Sequence, residues 1–267
     1  MDAPLADTPD DDQAHLFVSP HFDDGVFSCG GRIHQLTRAG EPVTVITMMG
    51  GLHSGELPKS PILDDLHKRW MAGADPLCAR QQEDKRALAL LNAEHIHIDL
   101  TDCVYRQVDG LPLYPSEESL FGNVHVADYA LQYLEALSLP DTARRLVIYL
   151  PLAVGHHVDH QIVRDWGIGL LRDKPESWSL RFYAEYPYFN TERAITLALS
   201  KMNMPLREKP IKLDEADLAA KVNAIACYNS QISTFWEDVD AMALDLRRSS
   251  LDPRTGQLVE RYWEIES

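Results

Sequence analysis

Apolar positions along the chain fall into short runs separated by stretches of helical periodicity. Ala14-His15-Leu16-Phe17-Val18-Ser19 is a short apolar run of the kind a buried strand shows, and residues 43–48 form a second, β-branched run closed by Gly50-Gly51. Between them Val26, Phe27, Ile33 and Leu36 recur at helical spacing over residues 26–38, with Gly40 as a stop one residue past Ala39. Strand, turn and helix in close succession mark an α/β unit. A Gly- and Pro-punctuated segment over 51–76 leads into a helix over 77–91, with Leu88 and Leu91 on its apolar side, and then a short strand over 96–100. A loop rich in Pro, Gly and Asp (101–122) precedes a helical pattern over 124–137 and a buried strand over 146–150. Farther on, 158–171 and 218–232 read as helices, 181–185 as extended and 258–265 as a closing strand. Continuous apolar strands alternating with helices predict an α/β fold with a mostly parallel sheet covered on both faces.

The chain has 267 residues, 45% of them apolar, which is enough for a sizeable core. It shows no repeat, low-complexity tract or linker, so one domain is expected over 14–267, behind an acidic, disordered tail at 1–13. The 41 acidic against 25 basic side chains give a formal charge of -16, which repels phosphate backbones and anionic lipid and excludes nucleic acid and membrane as partners. The first residues lack the basic start and apolar stretch of a signal peptide, and no apolar run approaches the ~20 residues a bilayer needs. Cys29, Cys78, Cys103 and Cys227 contain no C-x-x-C pair, which argues against a disulfide scaffold or thiolate cluster and for the reducing cytoplasm.

Chemistry concentrates in two places. Ser19-Pro20-His21-Phe22-Asp23-Asp24-Gly25 stands where the first strand ends, the edge at which open α/β sheets carry active sites. His21 and Asp24 are three apart, so at a helix start both fall on one side, about 5–6 Å between Cβ atoms, and can share a cation. Asp23 points elsewhere and is free to act as a general base on the water a metal would hold. The plainer alternative is that Asp23 or Asp24 only caps the helix. Gly155-His156-His157-Val158-Asp159-His160 follows the strand over 146–150 at a second carboxyl end. His157 and His160 are again three apart, and Asp159 is placed to hydrogen-bond an imidazole and fix its tautomer. The alternative here is a chance histidine-rich loop. Together the clusters offer His, Asp and His with one coordination position left open, as catalytic zinc sites do. Magnesium prefers oxygen ligands and fits less well, and Fe2+ stands as the alternative to Zn2+.

These two motifs, with a Gly-Gly helix-start region after the first, resemble the LmbE-like (PIG-L) family of N-acetylglucosaminide de-N-acetylases over residues 14–190. The resemblance implies a Rossmann-like α/β fold and hydrolysis of a sugar acetamide. It assigns zinc to His21, Asp24 and His160, the base to Asp23, and oxyanion stabilisation or proton donation to His157. Asp23, His157 and Asp159 are thus the candidate catalytic residues. Two departures stand out: Phe22 and Gly25 replace the Pro and Glu common in the family, and His156 adds a third imidazole. Arg80 and Asp102, near predicted element junctions, are candidates to bind sugar hydroxyls; a surface ion pair and a turn cap are the alternatives. Arg106 and Tyr186 are weaker candidates. The aromatic group Phe182, Tyr183, Tyr186, Tyr188 and Phe189 reads as core sooner than as a sugar-stacking wall, and Trp236 and Trp263 are read the same way. The expected partner is a small-molecule sugar conjugate, and self-association into a homo-oligomer is left open. Competing readings are a zinc amidase acting on another sugar or thiol conjugate, and a silent metal-containing sugar-binding protein, against which the intact Asp23 and His157 speak.

Overall fold

The computed structural model describes residues 13–53, 55–70, 75–137, 139, 145–172, 175–189 and 191–266. The acidic stretch over 1–12 lies outside the described residues, and Gln13, grouped with it above, is the first residue of a strand. In chain order the elements are β1 (Gln13–Ser19), α1 (Asp24–Arg38), β2 (Val43–Thr47), α2 (Pro61–Trp70), α3 (Pro76–Leu90) and β3 (Glu94–His97). A hairpin of β4 (Gln107–Val108) and β5 (Leu111–Pro112) leads to α4 (Glu117–Leu120), α5 (Ala130–Glu135), β6 (Arg145–Pro151), α6 (Val158–Gly169) and β7 (Trp178–Tyr183). The chain continues through α7 (Glu192–Ser200), β8 (Leu206–Glu208), β9 (Ile211–Lys212), α8 (Glu215–Ile225) and α9 (Asn229–Phe235). It closes with α10 (Val239–Ser250), β10 (Val259–Glu260) and β11 (Tyr262–Ile265).

Seven strands form one sheet in the order β3-β2-β1-β6-β7-β11-β8. Pairing is parallel from β3 to β7, and β11 is antiparallel to both β7 and β8. The chain builds outward from β1 to β2 and β3, then returns to lay β6 against the other side of β1. Phe17 of β1 accordingly faces Val45 on one side and Tyr149 on the other. That reversal opens a crevice at the carboxyl ends of β1 and β6, and both sequence motifs start there.

Alternation along the strands divides the core. Leu16 and Val18 join Ile148, Leu150, Ile162 and Trp166 on the face covered by α5, α6 and α7. Phe17 joins Ile33, Val45, Leu88, Ile225 and Leu246 on the face covered by α1, α3, α8 and α10. Both faces are therefore covered, as continuous apolar strands require. A third apolar cluster, with Ile62, Leu63 and Trp70 of α2, Tyr105, Tyr114 and Leu120, packs on Val158 beside the crevice.

Several elements differ from expectation for identifiable reasons. The segment over 51–76 carries α2, and the loop over 101–122 carries the hairpin and α4. The helix expected over 124–137 is confined to Ala130–Glu135, because Asp128 turns in to pair with Arg106 and to accept from Tyr114 and from the Ala130 N–H. The helix expected over 218–232 breaks into α8 and α9, where buried Glu83 accepts from the Ser230 N–H and hydroxyl. The strand expected over 96–100 is shifted to Glu94–His97, and the closing strand is two antiparallel pieces separated at Arg261. The Gly-Gly pair, Gly30-Gly31, lies in the middle of α1 rather than at its start, where a Cβ on Gly31 would stand 2.6 Å from Leu213. Phe182, Tyr183, Tyr186 and Trp263 are core residues as expected; Tyr186 also lines the crevice, together with Tyr188.

Candidate active site

At the end of β1, the Ser19 hydroxyl donates to the His21 carbonyl and accepts the Gly25 N–H at 2.8 Å, which ties the strand end to the first turn of α1. A Cβ on Gly25 would stand 3.2 Å from the Ser19 Cβ and Oγ, so this serine takes the space a side chain at 25 would enter. The tight turn lets the His21 backbone N–H donate to Asp24 Oδ2 at 2.9 Å. Asp24 is thereby held as an acceptor. Asp23 occupies the N-cap position of α1, yet its side chain caps nothing, so the capping alternative fails for both aspartates.

Asp24 Oδ2 stands 3.0 Å from His21 Nδ1 and 3.2 Å from His160 Nε2, so one carboxylate oxygen joins the two motifs. Nitrogen and oxygen ligands on a tetrahedral zinc, each about 2.0–2.1 Å from the metal, stand about 3.3 Å from one another. Both separations from Asp24 Oδ2 are close to that spacing. Each imidazole turns its other nitrogen to a fully buried carboxylate: His21 Nε2 lies 3.0 Å from Asp159 Oδ2 and His160 Nδ1 lies 3.0 Å from Glu185 Oε1. Burial opposes charge on these rings. The surrounding carboxylates outweigh it, raising His21 well above its ordinary pKa and His160 to about 9. The carboxylates of Asp24, Asp102, Asp159 and Glu185 thus surround the two imidazoles.

The second carboxylates are themselves fixed. Glu185 accepts from the Ala153 and Val154 N–H groups at 2.7 and 3.1 Å. Asp159 accepts from the Cys103 N–H at 2.9 Å and from Arg106, which also pairs with Asp128 at 2.9 Å. Asp159 does orient an imidazole, but that of His21 in the other motif, and it lies behind the floor of the crevice. Arg106 acts one step farther back. Sequence reasoning missed Glu185, whose signal was a single acid in the apolar stretch Phe182-Tyr183-Ala184-Glu185-Tyr186.

His157 is the N-cap of α6, and its Nδ1 accepts the Asp159 N–H at 3.3 Å. The ring proton therefore sits on Nε2. Its ring stands edge-on to His21 and His160, at 5.0 and 5.2 Å between centroids, and ligand nitrogens of the three rings lie within 4.8 Å of one another. Burial, then the neighbouring His21 and His160, push its pKa down to about 3, so the ring is neutral. His156 has a left-handed backbone, φ 69°, and its Nδ1 lies by the Phe121 carbonyl at 3.3 Å, outside the cluster.

Asp23 faces Arg80 Nη2 at 3.4 Å. Burial pushes the Asp23 carboxyl up to about 6 against the opposing Arg80 charge, and a bound cation would pull it down again. Arg80 is buried, with its guanidinium 4.4 Å over the Trp70 ring, so it is no surface ion pair. Asp102 does cap a turn: Oδ1 accepts the Val104 N–H at 3.1 Å, while Oδ2 stands 3.7 Å from His21 Nε2. The crevice holds a cleft of about 280 Å³, floored by His21, Asp23, Asp24, Arg80, Asp102 and His157 and walled by Trp70, Phe121, Tyr186, Tyr188 and Phe235. Tyr186 stacks on Trp236 at 6.0 Å.

The family model described as PIG-L, GlcNAc-PI de-N-acetylase, matches residues 16–169, which contain both motifs. The 2'-N-acetylparomamine deacetylase of Niallia circulans is 32% identical over 193 residues, 67% of this chain and 69% of that protein. Among solved structures, the zinc-inhibited form of teicoplanin deacetylase superposes with a TM-score of 0.77 at 23% identity, covering 95% of this chain and 98% of the other. The A40926 pseudoaglycone deacetylase gives 0.70 at 24% identity, covering 95% and 97%. At that identity the structural likeness establishes the fold.

Proposed function

This chain belongs to the PIG-L family of GlcNAc-PI de-N-acetylases, and on that premise we propose that it removes the N-acetyl group from an N-acetylglucosamine-type sugar conjugate, using zinc held by His21, Asp24 and His160. The reaction class, hydrolysis of an amide C–N bond, comes with the family. The metal assignment rests on one observation, the single Asp24 oxygen shared between two imidazoles whose far nitrogens both face buried carboxylates. Bound zinc supplies Lewis acidity and brings the pKa of water to about 7; two imidazoles and one carboxylate are also donors that Fe2+ accepts, and the Irving–Williams order ranks Zn2+ above it for a given site.

The chain's own residues carry the proton and the charge. Asp23 accepts the proton of the attacking water, and water oxygen bonds to the acetamide carbon. The His157 Nε2–H, its direction fixed by the cap at Nδ1, donates to the carbonyl oxygen as that atom gains charge. Asp23 then returns the proton to the departing nitrogen, so acetate and a free amine leave. Asp159 and Glu185 hold the two metal-binding rings and touch no substrate. Asp102 and Arg80 meet the sugar's hydroxyls, and Tyr186, Tyr188 and Trp70 offer it flat apolar faces.

The relative's substrate, an N-acetylated amino sugar, supports a carbohydrate acetamide here. Residues 14–267 act as one catalytic domain in this reading, and four free thiols suit a reducing cytoplasm. Among the described residues no helix is long and apolar enough to cross a membrane. The test is metal content of the purified protein alongside acetate release from a panel of N-acetylglucosaminyl compounds, thiol conjugates included. Zinc at one per chain with acetate from a sugar acetamide supports the proposal; a protein that neither holds nor is activated by a divalent ion sinks it.

A further inference from the structure

We propose that Cys103 and His157, completed by Asp159, form a second zinc site that is inhibitory and distinct from the His21, Asp24 and His160 set. Cys103 Sγ stands 3.9 Å from His157 Nε2, and ligand atoms of Cys103, His157 and Asp159 all lie within 4.8 Å of one another. A zinc ion bound at about 2.3 Å to sulfur and 2.0 Å to nitrogen holds those two atoms about 3.5 Å apart, so the pair needs only a few tenths of an ångström of movement. His157 is 8% exposed, and its Nε2 meets no nitrogen or oxygen partner among the described residues, only this sulfur. A thiolate beside an imidazole is a softer donor pair than any in the first set, and softness favours zinc. Cys103 is the one cysteine within such a donor group among the described residues.

Occupancy has a defined proton balance and involves no redox step. The Cys103 thiol releases its proton to solvent as the sulfur–zinc bond forms. The His157 proton leaves Nε2 and is regained at Nδ1, which frees Nε2 for the metal and breaks the cap with the Asp159 N–H. Losing a helix cap, ionising a buried thiol and sharing Asp159, whose Oδ2 already faces His21 Nε2 and the Cys103 N–H, all oppose binding, so this site fills after the first. Once filled, it removes the Nε2–H that meets the reacting carbonyl. The inhibition rests on the role given to His157 under the proposed function; the binding of the ion does not.

The test uses cobalt as a spectroscopic stand-in and zinc as the inhibitor. With one equivalent of cobalt bound, a second equivalent is expected to bring in a sulfur-to-cobalt charge-transfer band that is absent in Cys103→Ser and Cys103→Ala. Zinc beyond the first equivalent is expected to suppress acetate release, and both variants should need at least about tenfold more zinc for the same suppression, the scale of a lost ligand contact. Two variants, each checked for native folding and unchanged first-site metal affinity, guard against a packing defect. A second equivalent without the band, or with an equal band in the variants, overturns the site. Equal zinc sensitivity in native protein and variants overturns the inhibition. Should no substrate release acetate, the cobalt spectrum still decides the site by itself.

Discussion

His160 Nδ1 stands 3.0 Å from Oε1 of Glu185, a residue 25 positions later, just past the end of β7. Glu185 also draws in the Ala153 N–H, on a residue held at a left-handed φ of 61°, and the Val154 N–H. One buried carboxylate therefore shapes the turn after β6 and aims the imidazole that leaves it.

Replacing Glu185 by Gln should weaken metal binding by about 10–100-fold, the usual effect of removing a carboxylate behind a ligating histidine. It should also destabilise the fold by about 1–3 kcal/mol, since one amide oxygen cannot satisfy the donors two carboxylate oxygens do. Chelator competition reads the first and urea unfolding of the metal-free protein the second. Lost stability with unchanged metal affinity would reduce Glu185 to an anchor for the turn.

Asp23 and His160 should separate in their effects. Asp23→Asn keeps all the metal-facing donors and the Arg80 contact geometry, so metal content should stay near one per chain while turnover falls about 10²–10⁴-fold, the contribution of a positioned base. His160→Ala removes a donor shared with Asp24 and should lose the metal first. Metal analysis of both variants beside acetate release checks this, and equal metal loss in the two would reverse the assigned roles.

Legibility in the sequence followed how local each interaction is. His21 and Asp24 lie within one turn, as do His157 and His160, and the apolar runs of β1 and β6 announce parallel strands whose ends meet. Both motifs could be read for that reason. Glu185 reaches His160 and Arg106 reaches Asp159 across 25 and 53 positions, and neither acid nor guanidinium carries a local mark of its partner. The break between α8 and α9 has the same origin, because Glu83 on α3 caps Ser230 from 147 positions away. Apolar periodicity over 218–232 continues through it unaware. Asp102 shows that two readings can hold together: one oxygen caps a turn and the other faces the cleft.

That division of labour makes Asp102→Asn informative. Asparagine keeps an oxygen for the Val104 N–H, so the turn should hold, but the charged acceptor toward the cleft is lost. KM for a sugar acetamide should rise about tenfold, equivalent to ~1.4 kcal/mol of a charge-assisted hydrogen bond. Metal content should not change. Steady-state kinetics separate this from a structural effect: a fall in kcat with KM unmoved would place Asp102 outside sugar recognition.

His15, in β1 and far from the cleft, gives a stability prediction with a defined sign. Its Nδ1 lies 3.2 Å from the Tyr149 hydroxyl, and burial, followed by the charges of Arg32 and Arg181, lowers its pKa to about 3. The folded state therefore keeps the ring neutral, whereas the unfolded chain takes up a proton near pH 6.5. Stabilisation from this group is complete above that value and is lost as pH falls from 6.5 toward 3, at up to about 1.4 kcal/mol per pH unit. His15→Gln cannot titrate and still offers the Tyr149 hydroxyl a polar partner. Between pH 7 and pH 5, urea unfolding of the wild type should lose about 2 kcal/mol more than the variant. Carboxylate contributions are common to both proteins and cancel in the difference, so parallel pH profiles would show that the His15 ring charges inside the fold.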